Sequence, residues 1–430
     1  MDTLLKVVQD FMNMGTIVLL PAFITLLGLF FRLNFWKALK NGLLVGIGYE
    51  GINLAVGYFC EVLAPITGYY SENGGGFTLV DVGWAGFSAI GWAAPFAALV
   101  VPCAILLNLF LLKIKFTNTL NVDIWDYWQQ LLGAMIVYYL MLQAGCSIPI
   151  AVIGGLVYAM LATAATLKLA DKWAPNIQNH YGLDGVTFVN MDCLFTILSV
   201  GWASNKIFDK IPGLNKINLS LDKINEKLGA FGDSYILSFF VGILLGAITR
   251  NSIADCISIG VGVAAGIAFL PKMVGLLMEG MAPVSKAAKE WTIKKMEKDR
   301  EINVGCDCAL GLGDPAGIVT APIMIPICVL IAFLVPHNEY FPMAYMGSLV
   351  YTTVLMSMCT KGNVLKTILA TTVMAVFTTV TFNFMSDMGT TLAEYTGVLD
   401  LAEGARITGS GMNQIQNVIL GLIGRVAGLY

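Results

Sequence analysis

Apolar segments with the length of a bilayer-crossing helix, about 20 residues, recur along almost the whole chain. We predict spanning helices near residues 9–31, 41–60, 88–112, 130–145, 149–168, 231–249, 252–271, 318–335, 342–358, 366–385 and 411–429. The hydrophobic pattern therefore predicts an all-α polytopic membrane protein with about eleven transmembrane helices.

Two further segments, 185–205 and 304–317, contain polar residues that a lipid-facing helix would exclude. Each combines glycine with carboxylates, among them Asp192 and Asp314. Irregular backbone at membrane depth persists only where protein or water satisfies its peptide groups. Transporters bind their substrates at such breaks. We predict that each segment is a re-entrant hairpin, which enters from the cytoplasm and returns to it.

The positions of lysine and arginine predict the orientation of these helices across the membrane. Arg32, Lys37 and Lys40 fill the first loop, whereas the second loop, residues 61–83, has no basic residue. Because basic residues concentrate in cytoplasmic loops, we predict that the N-terminus lies outside and the C-terminus in the cytoplasm. Along this path the only basic residues outside are Lys6, Arg250 and Arg406.

The composition agrees with a protein that folds within a lipid bilayer. Hydrophobic residues make up 57% of the chain and charged residues 12%, against roughly 25% charged residues in soluble domains. Two stretches, 220–228 and 283–300, have the pattern of cytoplasmic amphipathic helices. The lysines around Trp291 in the second stretch suit either anionic lipid or docking of a soluble partner.

Strongly polar residues within apolar spans are candidates for substrate binding. Glu50 and Asn53 lie one helical turn apart and can face one cavity. The alternative is a helix-packing face built on glycines, with Glu50 paired internally. Ser88 follows Asp81 and Trp84 where a span begins, although tryptophan there is equally typical of the membrane interface.

A second set of candidates surrounds the predicted hairpins. Residues 121–129 combine acids, an amide and aromatic rings and end at Gln129, a composition that suits the hydroxyls and C–H faces of a sugar or polyol. Asn190, Asp192 and Asp314 belong to the hairpins and would offer acceptors to several hydroxyls. The alternative is that these acids cap the hairpin helices.

Other chemistries lack their motifs. The sequence has no P-loop and no dinucleotide fingerprint, so the chain does not hydrolyse ATP by itself. His180 and His337 are placed in loops without a second ligand nearby, and the nine cysteines form no C-x-x-C pair. We therefore predict no metal, no cofactor and no nucleic-acid partner. An ion-coupled secondary transporter remains the alternative function, and a channel fits less well because no filter sequence is present.

Four strings carry a resemblance to a known family: VDVGW at 80–84, NVDIW at 121–125, KIPGLNKI at 210–217 and GN at 362–363. In this order they resemble the galactitol-type IIC components of the bacterial phosphoenolpyruvate-dependent phosphotransferase system, in the ascorbate-galactitol superfamily. The resemblance implies a homodimeric permease of the bacterial inner membrane, surrounded by lipid, for a galactitol-like polyol or related sugar.

The resemblance also implies partners. A separate IIB protein would phosphorylate the polyol from its phosphocysteine, and a IIA protein would act upstream of IIB. The chain would then be the membrane subunit of a sugar phosphotransferase complex, without a phosphoryl-carrying residue of its own.

A scaffold and an elevator-like core are further implications of the resemblance. We assign residues 1–83 and 230–300 to the scaffold, the latter with the cytoplasmic amphipathic helix. Residues 84–229 and 301–430 form the core, each with one hairpin. Family members have histidine at the positions of Gln129, Asn190 and Asp314. Asp192 and Asp314 would replace the imidazole hydrogen bonds and shift the preference among hydroxyl stereochemistries.

Overall fold

The chain folds mainly into helices in a computed structural model, which describes residues 16–73, 77–123, 126–214, 217, 219, 234–295, 301–399 and 404–430. The helices are α1 (Thr16–Phe30), α2 (Phe35–Asn73), α3 (Gly83–Trp92), α4 (Ala97–Lys113), α5 (Tyr127–Gln143), α6 (Ile148–Tyr181), α7 (Leu198–Phe208), α8 (Ser234–Ile248), α9 (Ile253–Lys295), α10 (Pro315–Leu334), α11 (Met343–Thr360), α12 (Val364–Thr396) and α13 (Ile415–Val426). The short strands are β1 (Leu79–Asp81), β2 (Thr119–Asn121), β3 (Val186–Phe188), β4 (Asn303–Cys306) and β5 (Arg406–Thr408). The all-α prediction is therefore right about the helices and missed the strands.

Long apolar helices confirm the membrane character. Among the described residues, α6, α10 and α12 are each long and apolar enough to cross a membrane. Helices α3 and α4 meet the same criterion only together and are bent by 90°, so the predicted span 88–112 is a broken helix. Helices α7 and α13 are apolar but shorter. The count of eleven spans stays a prediction.

The predicted final span, residues 411–429, is instead one arm of a hairpin. Asp387 on α12 contacts Arg406 in β5 at 2.7 Å and Arg425 in the last turn of α13 at 3.7 Å. Between them, Asn413 contacts Thr378 at 3.4 Å, more than two turns earlier on α12. Along α12, the chain therefore runs from the level of Asp387 at β5 to the level of Thr378 at Asn413. Helix α13 then returns to the level of Asp387.

Helix α9 extends through the stretch predicted to be a separate cytoplasmic helix. It has 43 residues and continues without a break to Lys295. Val284 and Ala287 are buried within the core, so this part packs against protein. The predicted amphipathic helix at 283–300 is therefore, over its described part, the continuation of α9, with Val284 and Ala287 buried and Lys286 exposed. Residues 220–228, the other predicted surface helix, lie outside the described residues.

Helices α1, α2, α8 and α9 pack on one another. Glycine makes the approach of α2 and α9 possible: a Cβ atom at Gly48 would lie 2.5 Å from the backbone nitrogen of Leu277, and one at Gly280 would lie 2.6 Å from the carbonyl oxygen of Asn41. Small residues at such crossings let membrane helices pack closely through van der Waals contact.

The strands form two small parallel sheets, with orders β2-β4-β3 and β1-β5. Residues 119–121 pair with 303–305, residues 186–188 with 304–306, and residues 79–81 with 406–408. Parallel strands require long crossover connections, which the intervening helices supply. Each predicted hairpin thus begins with a strand, β3 or β4, followed by a π-helical turn (Cys193–Ile197) or a 3₁₀ turn (Cys308–Gly313).

Side chains from neighbouring helices fix the edge strand β2. The amide of Asn108 on α4 donates to the carbonyl of Thr119 at 2.8 Å and accepts from the backbone nitrogen of Asn121 at 2.9 Å. Asp171 on α6 accepts from the Thr119 hydroxyl at 2.8 Å. These bonds replace the ladder partners that an edge strand lacks and fix the direction of the chain beyond β2.

Candidate functional site

A cavity of ≈ 150 Å³ lies where the carboxyl ends of the strands converge. Its polar and aromatic lining follows the strands: Trp84 after β1, Asp126, Trp128 and Gln129 after β2, Asn190 and Asp192 after β3, Asp307 and Cys308 after β4, and Ser410 and Asn413 after β5. Helix α2 contributes Tyr49 and Ile52, and α11 contributes Tyr345, Ser348, Tyr351 and Thr352. Both small sheets therefore deliver their strand ends to one cavity.

Two amide side chains tie these strand ends together. The Gln129 side-chain oxygen accepts from the backbone nitrogen of Asp192 at 2.7 Å. The Asn190 oxygen accepts from the backbone nitrogen of Cys308 at 2.6 Å. Because both amide oxygens are engaged with backbone, their NH₂ groups are the parts that can face a ligand or a carboxylate.

Three carboxylates meet beside this ring of hydrogen bonds. Oxygen atoms of Asp123, Asp126 and Asp307 all lie within 4.8 Å of one another. Asp126 is 4% exposed and Asp123 is 6% exposed. Two unit charges at roughly 4 Å repel by about 4 kcal/mol at an effective dielectric constant of 20. Such a group is balanced by shared protons or by a hard cation, for which oxygen ligands are suited.

Aromatic rings form the apolar part of the cavity wall. Trp84, Trp128, Tyr49, Tyr345 and Tyr351 line the cavity, and rings of this kind accommodate the apolar C–H faces of a carbohydrate. The hydroxyl of Tyr345 is buried without a hydrogen-bond partner. The cavity therefore combines flat apolar surface with donors and acceptors.

Asp81 positions Tyr345. Its Oδ2 atom accepts from the backbone nitrogens of Ala344 at 2.9 Å and Tyr345 at 3.0 Å, and from the Tyr340 hydroxyl at 3.1 Å. A carboxylate at a helix N-terminus satisfies donors that have no partner within the helix. The end of β1 thus fixes the beginning of α11 and the ring that follows.

The sequence-predicted site residues divide into two groups. Gln129, Asn190 and Asp192 line the cavity. Ser88 is buried within α3 with 3% of its surface exposed, and Glu50 is half-buried on α2, but neither lines the cavity. The side chain of Asn53 lies outside the part of the chain that the structure describes.

Asp314 does not line the cavity and instead caps α10. One carboxylate oxygen accepts from the backbone nitrogen of Gly317 at 2.6 Å, and the other lies 2.6 Å from His180 Nε2. His180, predicted to lie in a loop, belongs to the last turn of α6. This arrangement corresponds to the capping alternative, and the histidine contact links α6 to α10.

Sequence reasoning missed several residues of the wall, above all Asp126 and Asp307. The sequence contains a sign of Asp126, because Asp123, Asp126 and Gln129 follow one another at intervals of three residues. Only the pairing of β2 with β4 shows that Asp307 joins them. On α11, the spacing of Tyr345, Ser348 and Thr352 by one helical turn indicates a common face.

Comparison with known proteins gives the same family as the sequence motifs. The family model EIIC-GAT, described as the sugar-specific permease component of the PTS system, matches residues 10–397. The galactitol-specific EIIC components of the PTS system from Escherichia coli strain K12 and from Escherichia coli O157:H7 are each 28% identical over 369 residues, which are 85% of this chain and 79% of theirs. The predicted resemblance is confirmed, and the chain belongs to the EIIC-GAT family of sugar-specific permease components of the phosphotransferase system.

Proposed function

We propose that this permease binds a galactitol-like polyol or related sugar in the cavity at the strand ends, for phosphorylation by the phosphocysteine of a IIB partner. The observation that carries the proposal is the convergence of both sheets on one cavity lined by amides, carboxylates and aromatic rings. A polyol presents a hydroxyl on every carbon and needs several donors and acceptors beside an apolar surface. Gln129 and Asn190 supply amide donors, and Asp126, Asp192 and Asp307 supply acceptors.

Phosphoryl transfer follows binding in this proposal. A hydroxyl oxygen of the polyol attacks the phosphorus of the IIB phosphocysteine, and the S–P bond breaks as the O–P bond forms. The hydroxyl proton passes to a carboxylate of the cavity wall, which is general-base assistance. The IIA protein then restores the phosphoryl group on IIB, so this chain only positions the polyol.

The packing supports a division into scaffold and core. Helices α1, α2, α8 and α9 pack together, and they belong to residues 1–83 and 230–300, the proposed scaffold. Of the described residues of the cavity wall, only Tyr49 and Ile52 come from these helices, and the others belong to residues 84–229 and 301–430. A substrate held by the core beside the scaffold suits an elevator-like movement. We propose a homodimer through the scaffold in the bacterial inner membrane, with the N-terminus outside.

Reconstituted phosphorylation tests the function. Proteoliposomes containing the full chain are supplied with phosphoenolpyruvate, the general phosphotransferase proteins, IIA, IIB and labelled hexitols. We expect labelled hexitol phosphate on the IIB side, and none when IIB is omitted. Accumulation of unmodified hexitol only, driven by a Na⁺ or H⁺ gradient, would contradict the proposal and favour the ion-coupled alternative.

A further inference from the structure

Strand pairing places two acidic residues side by side near the cavity. In the parallel pair of β2 with β4, Asn121 lies opposite Gly305, and the backbone nitrogen of Val122 donates to the Gly305 carbonyl at 3.0 Å. Asp123 and Asp307 therefore follow at equivalent positions, each two residues beyond the paired ends. Because like charges on neighbouring strands are destabilising, this register requires a cation or protons between the carboxylates.

Hydrogen bonds from the protein orient each carboxylate of the acidic cluster, which consists of Asp123, Asp126 and Asp307. Asp123 Oδ1 accepts from the backbone nitrogen of Asp126 at 3.3 Å, and Asp307 Oδ1 accepts from that of Ala309 at 2.7 Å. The Gln129 amide donates to Asp126 Oδ1 at 3.4 Å. One oxygen of each member lies within 4.8 Å of the other two, so the cluster is already assembled.

The other carboxylate oxygen of Asp126 points to a missing ligand. Asp126 is 4% exposed and lines the cavity, and its Oδ2 atom is buried without a hydrogen-bond partner among the described residues. A buried carboxylate oxygen without a partner is costly. The described lining of the cavity contains no lysine, arginine or histidine that could supply the positive charge.

We propose that the acidic cluster binds a hard divalent cation, Mg²⁺ or Ca²⁺, at the edge of the cavity. Oxygen ligands lie about 2.0–2.1 Å from Mg²⁺ and about 2.3–2.6 Å from Ca²⁺, so two ligands of one ion are at most about 4–5 Å apart. The oxygens of the cluster have this spacing. The adjoining cavity of ≈ 150 Å³ has room for several waters of about 30 Å³ each, which complete the coordination.

This metal site departs from the sequence prediction. The spacing of histidine and cysteine predicts no metal, whereas the oxygen ligands are brought together by the pairing of β2 with β4. Their meeting leaves no local motif in the sequence.

The ion also solves an electrostatic problem of phosphoryl transfer, a consequence that rests on the proposed function. The phosphocysteine of IIB is an anion that must approach the bound polyol, and uncompensated carboxylates repel it. Shared protons lower this repulsion without attracting the phosphoryl group. A divalent ion cancels two of the three carboxylate charges of the cluster and offers positions to phosphoryl oxygens. Asp192 lies in the cavity outside the cluster and can accept the hydroxyl proton.

Cation titration of the purified full chain tests the site without substrate or partner proteins. The protein is treated with a chelator, the chelator is removed, and Mg²⁺, Ca²⁺ or Na⁺ is added during calorimetry and thermal unfolding. We expect saturable binding of about one divalent ion per chain with a dissociation constant below about 1 mM. The thermal midpoint is expected to rise with the concentration of that ion and not with Na⁺ at equal ionic strength. The tighter of the two divalent ions identifies the ligand.

Charge-neutralising variants locate the ion. Asp126→Asn and Asp307→Asn keep the shape of the side chain, and each is expected to weaken divalent binding by at least about tenfold. Asp255→Asn is the matched control, because this exposed carboxylate at the beginning of α9 interacts with Ser252 at 2.6 Å and lies outside the cavity. The control is expected to bind the ion like the wild type.

Three outcomes would overturn the inference. The first is wild-type protein that unfolds cooperatively and binds neither divalent ion saturably, a result that needs no variant to fold. The second is an equal loss of ion affinity in Asp307→Asn and Asp255→Asn. The third is Na⁺ binding as tight as that of Mg²⁺ and Ca²⁺. All three leave the proposed permease function intact, since that function fails only when reconstitution yields unmodified hexitol.

Discussion

At the scale of single residues, the site depends on amides that serve two purposes. The Asn190 oxygen holds the backbone of Cys308 at 2.6 Å, which leaves the NH₂ group for the ligand side. The Gln129 oxygen likewise accepts from the backbone nitrogen of Asp192 at 2.7 Å, and its NH₂ group donates to Asp126 at 3.4 Å. This amide therefore holds together the segments that follow β2 and β3.

Replacement of Asn190 by alanine tests this dual role. Asn190→Ala leaves the Cys308 N–H buried without its acceptor, which costs about 1–3 kcal/mol, and removes one donor to the polyol. We expect a lower thermal midpoint and a hexitol affinity reduced by about tenfold, measured by thermal unfolding and calorimetry. Asn205→Ala is the control, because the Asn205 amide donates to exposed Asp209 at 3.3 Å and does not line the cavity. Equal affinities for the two variants would contradict the assignment.

Asp314 acts on stability in this structure. Asp314→Ala removes both the cap of α10 and the contact with His180, and loss of a cap costs about 1 kcal/mol. We expect a lower thermal midpoint with a hexitol dissociation constant close to that of the wild type. Asp307→Asn is expected to show the reverse pattern, with weakened binding and little loss of stability. A larger loss of hexitol affinity in Asp314→Ala than in Asp307→Asn would indicate that Asp314 binds the substrate.

At the scale of elements, the sequence predicts the helices well and the strands not at all. Hydropathy places spans at 130–145, 318–335 and 342–358, close to α5, α10 and α11. Strands of three or four residues carry no periodic signal, and their partners are remote in sequence. The acids of the hairpins were visible as unusual residues, but their meeting point depends on strand pairing and could not be predicted from the sequence.

The crossing of α2 and α9 gives an element-scale prediction. Gly280→Ala would place a methyl group 2.6 Å from the carbonyl oxygen of Asn41, so the helices must separate. We expect a lower thermal midpoint and less folded protein in the membrane. Gly275→Ala lies on the same helix with nothing within 4 Å of its added methyl and is expected to match the wild type. Similar losses in both variants would contradict the packing explanation, because intrinsic helix propensity favours alanine over glycine at both positions.

At the scale of the whole molecule, ion pairs provide an independent view of the predicted path through the membrane. Lys366 and Asp209 both belong to segments predicted on the cytoplasmic side, and they pair at 2.6 Å. Arg406 and Glu339 both belong to segments predicted outside, and they also pair. Arg425 is the exception, because a final span would carry it to the cytoplasm, yet it lies 3.7 Å from Asp387.

The position of Arg425 predicts the side of the membrane on which the C-terminus lies. Arg425 also lies over the ring of Phe384, with 5.4 Å to its centroid, so α13 returns along the outer part of α12. With Arg406 outside, the C-terminus is expected outside too, opposite to the hydropathy prediction. An epitope with a protease site, added after Tyr430, should be cleaved in intact spheroplasts. The same epitope inserted within residues 220–228, predicted to be cytoplasmic, should be cleaved only after lysis. Protection of the C-terminal epitope in intact spheroplasts would show that residues 411–429 cross the membrane.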